Sequence, residues 1–346
     1  MLFRPTVESD LDHLLRCTVD EPVSWARPDR LRSFLADGHY RHDRIWVAER
    51  DGEILARAVW WGFPDGGPAA LDCLYVHPSV ADPVALAAEL LSHAHQVFGD
   101  APAYHVFVPT GWRDDPAVTA ALAWRWEAGS RAGLTEEFER LRYAWTPADP
   151  PPEPPARLVF REEPDDEAFV EVFRRVAEGS LDHHTRQALR TKDPDTQARE
   201  DLADYRSMPG DRSWWRLAFT QDGTQDGIQD GTQDGIQDAT RDDTRDDTRD
   251  GSRGGARDGE LVGFALPSAN QSGPVVGYLG VLPEHRGHGY VSELLAEITR
   301  SHAGRGAERI AADTDTTNIP MARAFERAGY RLFAVRLVLS ADPAPA

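Results

Sequence analysis

The segment TPADPPPEPPA, residues 146–156, constrains the fold of this chain more than any other feature. Pro147, Pro150, Pro151, Pro152, Pro154 and Pro155 remove backbone donors and lock φ, so neither a helix nor an inner sheet strand can run through it. It reads as an extended, semi-rigid spacer. The stretches on either side are each long enough to bury a core of their own. The expected organisation is a domain at 1–146, a Pro-rich linker at 147–156 and a second domain at 157–341.

A second stretch cannot pack, for a different reason. Between Gln221 and Gly259 the unit Gln-Asp-Gly-Thr repeats every four residues and drifts into Arg-Asp-Asp-Thr, with eleven Asp, five Arg and almost no apolar side chains. Such a segment buries too little surface to offset its ordering entropy, so a disordered insert at about 221–259 is expected within the second domain. An acidic calcium repeat is the alternative, but only Ile228 and Ile236 could supply the apolar residue that each turn of such a coil needs.

With linker and insert set aside, the two halves show a similar order of elements. In the first, amphipathic stretches at Glu8 to Arg16 and Pro28 to Leu35 precede a hairpin signal, in which Arg44 to Arg50 meets Asp51-Gly52 and continues as EILARAVWW. LDCLYVHP follows as a strand, PVALAAELLSHAHQVF as a helix and YHVFVP as a strand. The second half runs strand RLVFRE, helix DDEAFVEVFRRVAE, a helical segment from His184 to Met208, and strands WWRLAF, ELVGFALP and VVGYLGVLP. Helix YVSELLAEITRSHA, strand ERIAAD, helix PMARAFERAG and strand RLFAVRLVL complete it. Each half is an α/β unit of the α+β type, and the insert occupies a hairpin turn, where length is tolerated.

Composition narrows the partners. Against 38 Lys plus Arg stand 58 Asp plus Glu, a net charge of −20, which disfavours polyanions such as nucleic acid and favours neutral or cationic partners. Cys17 and Cys73 are too few for a disulfide framework or a Cys-rich zinc site, and no metal site is expected. No apolar run approaches the roughly 20 residues of a membrane span. A cytoplasmic protein without membrane contact is the expectation; a homodimer is compatible with the sequence.

The chemistry concentrates between Gly277 and Arg300, GYLGVLPEHRGHGYVSELLAEITR. A strand reaches Val281, and Arg286-Gly287-His288-Gly289-Tyr290 leads directly into a helix. Glycines there let backbone N–H groups approach an anion, and the helix N-terminus adds its dipole. The Gly-Lys-Ser/Thr of a nucleotide P-loop and the three-glycine spacing of a dinucleotide site are both missing.

This stretch resembles the GNAT superfamily of N-acetyltransferases, whose members carry Arg/Gln-x-x-Gly-x-Gly/Ala at this place. The motif here is Arg286, Gly287, His288, Gly289, Tyr290, Val291, with Val where Gly or Ala is usual. Asn318 followed by PMARAFERAGYRLF is similar to the family's next strand-to-helix segment, and the likeness runs from about Val275 to Phe333. It implies two GNAT-like domains, each a central mixed, mostly antiparallel sheet flanked by helices. It also implies acetyl-CoA as co-substrate, with its pyrophosphate on the Arg286–Val291 loop, its thioester carbonyl near Leu279, Gly280 and Val281, and its pantetheine and acyl end along Asn318 and Phe325. The first half has SVADPVALAAELL where the cradle would be, without Arg or Gly, so it reads as a degenerate copy that binds no cofactor.

The reaction implied is direct attack of a small amine, neutral or cationic, on the acetyl thioester. The family's usual general acid, a Tyr seven residues after the Asn, is replaced by Phe325, which cannot donate a proton. A non-catalytic acyl-CoA-binding module is therefore the rival reading. Candidate bases are Asp313 and Asp315, which follow a strand end but also suit turn and cap chemistry. His183 and His184 have the right pKa range, yet adjacent histidines in a polar loop are commonly plain surface residues. His288 suits phosphate contact better than catalysis.

Overall fold

The computed structural model describes residues 1–18, 21–23, 27–221 and 259–342; the repetitive insert, and with it the expectation of disorder there, falls outside them apart from its first and last residues. The first half contains β1 (Leu2–Pro5), α1 (Leu11–Arg16), α2 (Pro28–Ala36), β2 (Ile45–Arg50), β3 (Glu53–Trp61), β4 (Ala70–Val76), α3 (Pro83–Phe98), β5 (Tyr104–Val108), α4 (Pro116–Arg131) and β6 (Leu134–Trp145). The second contains β7 (Leu158–Arg161), α5 (Asp166–Ala177), α6 (His183–Ala188), α7 (Pro194–Ser207), β8 (Arg216–Thr220), β9 (Leu261–Asn270), β10 (Gly273–Val281), α8 (Tyr290–Gly304), β11 (Ile310–Asp315), α9 (Ile319–Arg327) and β12 (Arg331–Ala341).

Local rules account for many boundaries. Asp51 and Gly52 both take positive φ, 53° and 83°, which closes the β2–β3 hairpin with the twist its strands require. Asp82, Asp115, Asp165, Asp182, Asp193 and Asn318 each cap a helix by accepting from a backbone N–H of its first turn. Helix α8 instead starts from Gly289 at φ 76° with no side-chain cap.

The twelve strands of the described residues form one sheet, in the order β1-β2-β3-β4-β5-β12-β6-β11-β10-β9-β8-β7. Replacing each strand by its counterpart six places along the chain returns the same order read backwards, so the halves are related by a pseudo-twofold axis at the centre. The pairs β4/β5 and β10/β11 are parallel and the rest antiparallel. Both halves have the mixed, mostly antiparallel sheet expected of them, but neither closes its own. Strand β12, from the end of the chain, lies between β5 and β6, with Leu337 opposite Val106 on one side and Glu139 on the other. Strand β6 in turn lies between β12 and β11, with Leu141 opposite Thr314. Buried Leu337 and Leu339 of β12 belong to the first half's core, alongside Val106 and Leu134.

The proline segment is docked on the end of β6 and on the second half. The Pro150 carbonyl accepts from Trp145 Nε1 at 3.4 Å, and buried Asp149 pairs with Arg331. Glu293 of α8 accepts the backbone N–H groups of Ala156, Arg157 and Leu158 at 2.9–3.2 Å and the Arg157 Nε–H at 2.6 Å. Among the described residues no helix is long and apolar enough to cross a membrane, and no group of three metal-ligating side chains occurs.

Candidate active site

Strands β10 and β11 are in register only at Val275 and Ala311 and then diverge. The gap opens into a cavity of about 640 Å³, lined by β10 from Val276 to Val281, by the Arg286–Val291 loop without His288, and by α6, α7 and α9. Its size suits a cofactor-sized ligand.

The strand wall is shaped by two glycines. A bulge falls between Val276 and Tyr278, at Gly277. Because one extra residue reverses the alternation, Val276, Leu279 and Val281 pack on the α8 and α9 side, whereas Tyr278 joins Phe173 and Phe264 on the α5 side. Gly280 serves close approach. A Cβ there would lie 2.4 Å from Val176 Cγ1 and 2.9 Å from Phe264 Cε1.

The loop after β10 is a backbone cradle. Gly287 and Gly289 hold φ of 85° and 76°, conformations that L side chains rarely adopt, and a Cβ at either meets nothing closer than Arg157 Nη2 at 3.8 Å. The uncapped start of α8 thus leaves its N–H groups and dipole open to an anion. Arg286 acts differently from a phosphate ligand. Its guanidinium donates to the carbonyls of Val281 (3.2 Å), Glu178 (2.6 Å) and Val176 (2.8 Å), pinning the loop to the end of α5. His288 is exposed with Nδ1 3.3 Å from the His285 carbonyl, and it does not line the cavity. Its carbonyl accepts from Arg157 Nη1 at 2.9 Å, which ties the cradle to the docked linker. Buried Tyr290 and half-buried Val291 complete the wall.

Asn318 lines the cavity while capping α9 through Met321 N at 3.3 Å. Phe325 lines it too, 2 % exposed, with its ring stacked on Tyr143 at 5.2 Å. The two tyrosines whose rings contact Phe325 do not line the cavity: Tyr143 bonds Glu326 and Tyr330 bonds Thr299.

The carboxylates expected as bases are engaged elsewhere. Asp313 lines the cavity but is held between Arg142 Nε at 3.4 Å and Arg336 Nη2 at 2.9 Å. Asp315 is buried outside it, accepts the His183 backbone N–H and lies 3.6 Å from Arg140 Nη1; burial pushes its pKa up. The two histidines open α6 and separate because successive helical residues point about 100° apart. His183 stacks on Phe138 at 3.9 Å, away from the cavity, and exposed His184 lines it.

Residues that the sequence reading passed over complete the lining: Arg140, Asp182, Asp201, Tyr205 and Tyr278. Tyr205 and Tyr278 stack at 5.3 Å and 12°, and burial drives both hydroxyl pKa values up, keeping them protonated. Burial opposes ionisation of Asp182, but Arg140 and the Thr185 N–H hold its pKa down. Asp201 is different: burial raises it to about 6, against a bond from Gln197 Nε2 at 2.7 Å.

The first half repeats the frame with different contents. Strands β4 and β5 also diverge after one parallel pair, and the equivalent bulge falls at Asp72. There Arg125 of α4 enters: its Nε–H donates to the Leu74 carbonyl at 3.2 Å and its Nη1–H to Ala121 O at 2.7 Å, with Glu21 on Nη2. Leu74 matches Leu279 in the alignment of LDCLYVHP with VGYLGVLP. The N-terminus of α3 is already satisfied by the Asp82 carboxylate, where α8 presents bare N–H groups.

Comparison with known proteins fits this geometry. The model of the acetyltransferase (GNAT) family matches residues 213–330. A GCN5-related N-acetyltransferase from Sphaerobacter thermophilus shares the fold, with a TM-score of 0.56 and 18% identity over 97% of this chain and 94% of its own. The glucosamine N-acetyltransferase region of a fungal multi-domain GH3 β-N-acetylglucosaminidase superposes over 97% of this chain and 38% of its own, at 14% identity and a TM-score of 0.51. A tandem GNAT protein of the clavulanic acid biosynthesis pathway covers 99% of both chains at 16% identity, with a TM-score of 0.46. No curated protein sequence matches the chain. The residues matched to the acetyltransferase (GNAT) family, 213–330, are those that hold the cradle, the diverging strands and the α9 wall.

Proposed function

We propose that the second half is an acetyl-CoA-dependent N-acetyltransferase acting on a small amine, and that the first half is a structural copy that completes its sheet. The observation that carries this reading is that one cavity joins the Gly287–Gly289 cradle to the gap between β10 and β11. Acetyl-CoA would supply the activated acetyl group. The cradle N–H groups would hold its pyrophosphate, and Leu279 to Val281, Asn318 and Phe325 would line its acyl arm. Neither cysteine lines the cavity, Cys17 and Cys73 both being buried in the first half, which supports direct transfer over a covalent enzyme intermediate.

Phe325 favours a second reading, a binder that senses acyl-CoA without turning it over. Thiol release separates the two. With acetyl-CoA and a panel of primary amines, a transferase releases free CoA in step with amide formation. Stoichiometric binding with no thiol release for any amine would favour the sensor.

A further inference from the structure

One carboxylate in the cavity lacks a cationic partner. Arg140 faces Asp182 and Asp315, and Arg142 and Arg336 face Asp313, but no Lys or Arg pairs with Asp201 among the described residues. Asp201 Oδ1 accepts from the buried Gln197 amide at 2.7 Å, and Oδ2 accepts no hydrogen bond from any described residue. One turn further along α7, Tyr205 stacks on Tyr278, the strand neighbour of Leu279. A half-buried carboxylate with a free oxygen in a cavity walled by aromatic rings is an incomplete ion pair, and a bound cation completes it. The charged and titratable groups around it are His184 and Asp182 at α6, Asp204 on its own helix, and the two tyrosines.

Resting on the transferase reading above, we propose that Asp201 receives the ammonium of the acceptor and takes its proton, so that the acceptor is a primary alkylamine bound as its cation. The ammonium gives one proton to the carboxylate. The nitrogen lone pair then forms the N–C bond to the acetyl carbon as the C–S bond breaks and sulfur leaves with the bonding pair. The second nitrogen proton goes to the thiolate, giving amide and free thiol, and Asp201 returns its proton to water.

The test is calorimetry with n-alkylamines of two to six carbons and the matching alcohols, on the full chain with and without coenzyme A. Amines should bind at least tenfold more tightly than their alcohols, and Asp201→Asn should remove that preference while leaving coenzyme A affinity unchanged, which also shows that the variant is folded. In the wild type, amine affinity should fall as pH drops through about 6, where the carboxylate takes its proton. His184→Gln should keep that fall and Asp201→Asn should lose it. Equal binding of amines and alcohols, no amine binding, an unaltered preference in Asp201→Asn, or a pH limb that disappears with His184 would each overturn the proposal. Failure to bind coenzyme A would sink the transferase reading instead, while an amine preference lost in Asp201→Asn would still uphold the ammonium site.

Discussion

A single methyl group added at Gly280 should disturb both the stability of the second half and its cradle. The new Cβ would sit 2.4 and 3.1 Å from the two Val176 γ-carbons and 2.9 Å from Phe264 Cε1, against about 3.5–4.0 Å for an ordinary carbon contact. Strand β10 and helix α5 must therefore separate by roughly 1 Å, because both partners are buried, Val176 at 7% and Phe264 at 0% exposure. Overpacking of this kind costs about 1–3 kcal/mol. It also reaches the site, since the carbonyls of Val176 and Glu178 are where Arg286 anchors the loop. Urea unfolding of Gly280→Ala should show that loss, and calorimetry should show weaker acetyl-CoA binding. Val176→Ala removes two of the three clashing atoms, so the double variant should be more stable than the sum of the single effects by at least about 1 kcal/mol. A Gly280→Ala protein within about 0.5 kcal/mol of wild type, or strictly additive single effects, would refute the packing argument.

Arg286→Lys keeps the charge but loses the fork that reaches three carbonyls; acetyl-CoA affinity should fall about tenfold, the equivalent of about one hydrogen bond, whereas a purely electrostatic role would leave it unchanged. Residues 157–346 expressed alone lack β6, leaving facing edges of β11 and β12 unpaired, so this half should be insoluble or unfolded alone and recover when co-expressed with residues 1–156. A soluble, cooperatively folded half would contradict the exchanged-strand architecture. His302 is 2 % exposed, donates from Nε2 to the Val275 carbonyl at 3.0 Å, and burial lowers its pKa to about 4. The unfolded chain takes up this proton near pH 6.5 and the folded chain does not until about 4. Stability should therefore fall by roughly 3 kcal/mol across that window, and His302→Gln should flatten this part of the pH–stability profile.

The cradle was legible in the sequence because everything it needs is contiguous: a strand, two glycines forced to positive φ, and a helix left uncapped. The halves of the acceptor side were not. Asp201 reaches the cavity only because α7 packs on α5 and Tyr205 finds Tyr278 across more than 70 residues, a contact that no local pattern encodes. Asp313, expected after a strand end as a base or a turn and cap residue, lies within β11 and is neutralised by Arg142 from β6 and Arg336 from β12, which the strand exchange brings together. Strand β6 itself, LTEEFERLRYAW, is hidden in the sequence because its charged residues mask the alternation; Glu139 pairs with Arg113, and Arg140 and Arg142 pair with Asp315 and Asp313 of β11. The proline segment was recognised as a boundary, but its docking on Glu293 depends on a helix more than 130 residues away.

The central claim is that the loop from Arg286 to Val291 holds acetyl-CoA. Calorimetry of acetyl-CoA on the full chain, beside Gly289→Glu, tests it most directly. The variant forces an L side chain into φ 76° and sets a carboxylate at the open N-terminus of α8. The account predicts one molecule bound per chain and loss of binding by 100-fold or more in the variant. Two molecules per chain, or equal affinity in wild type and variant, would contradict it.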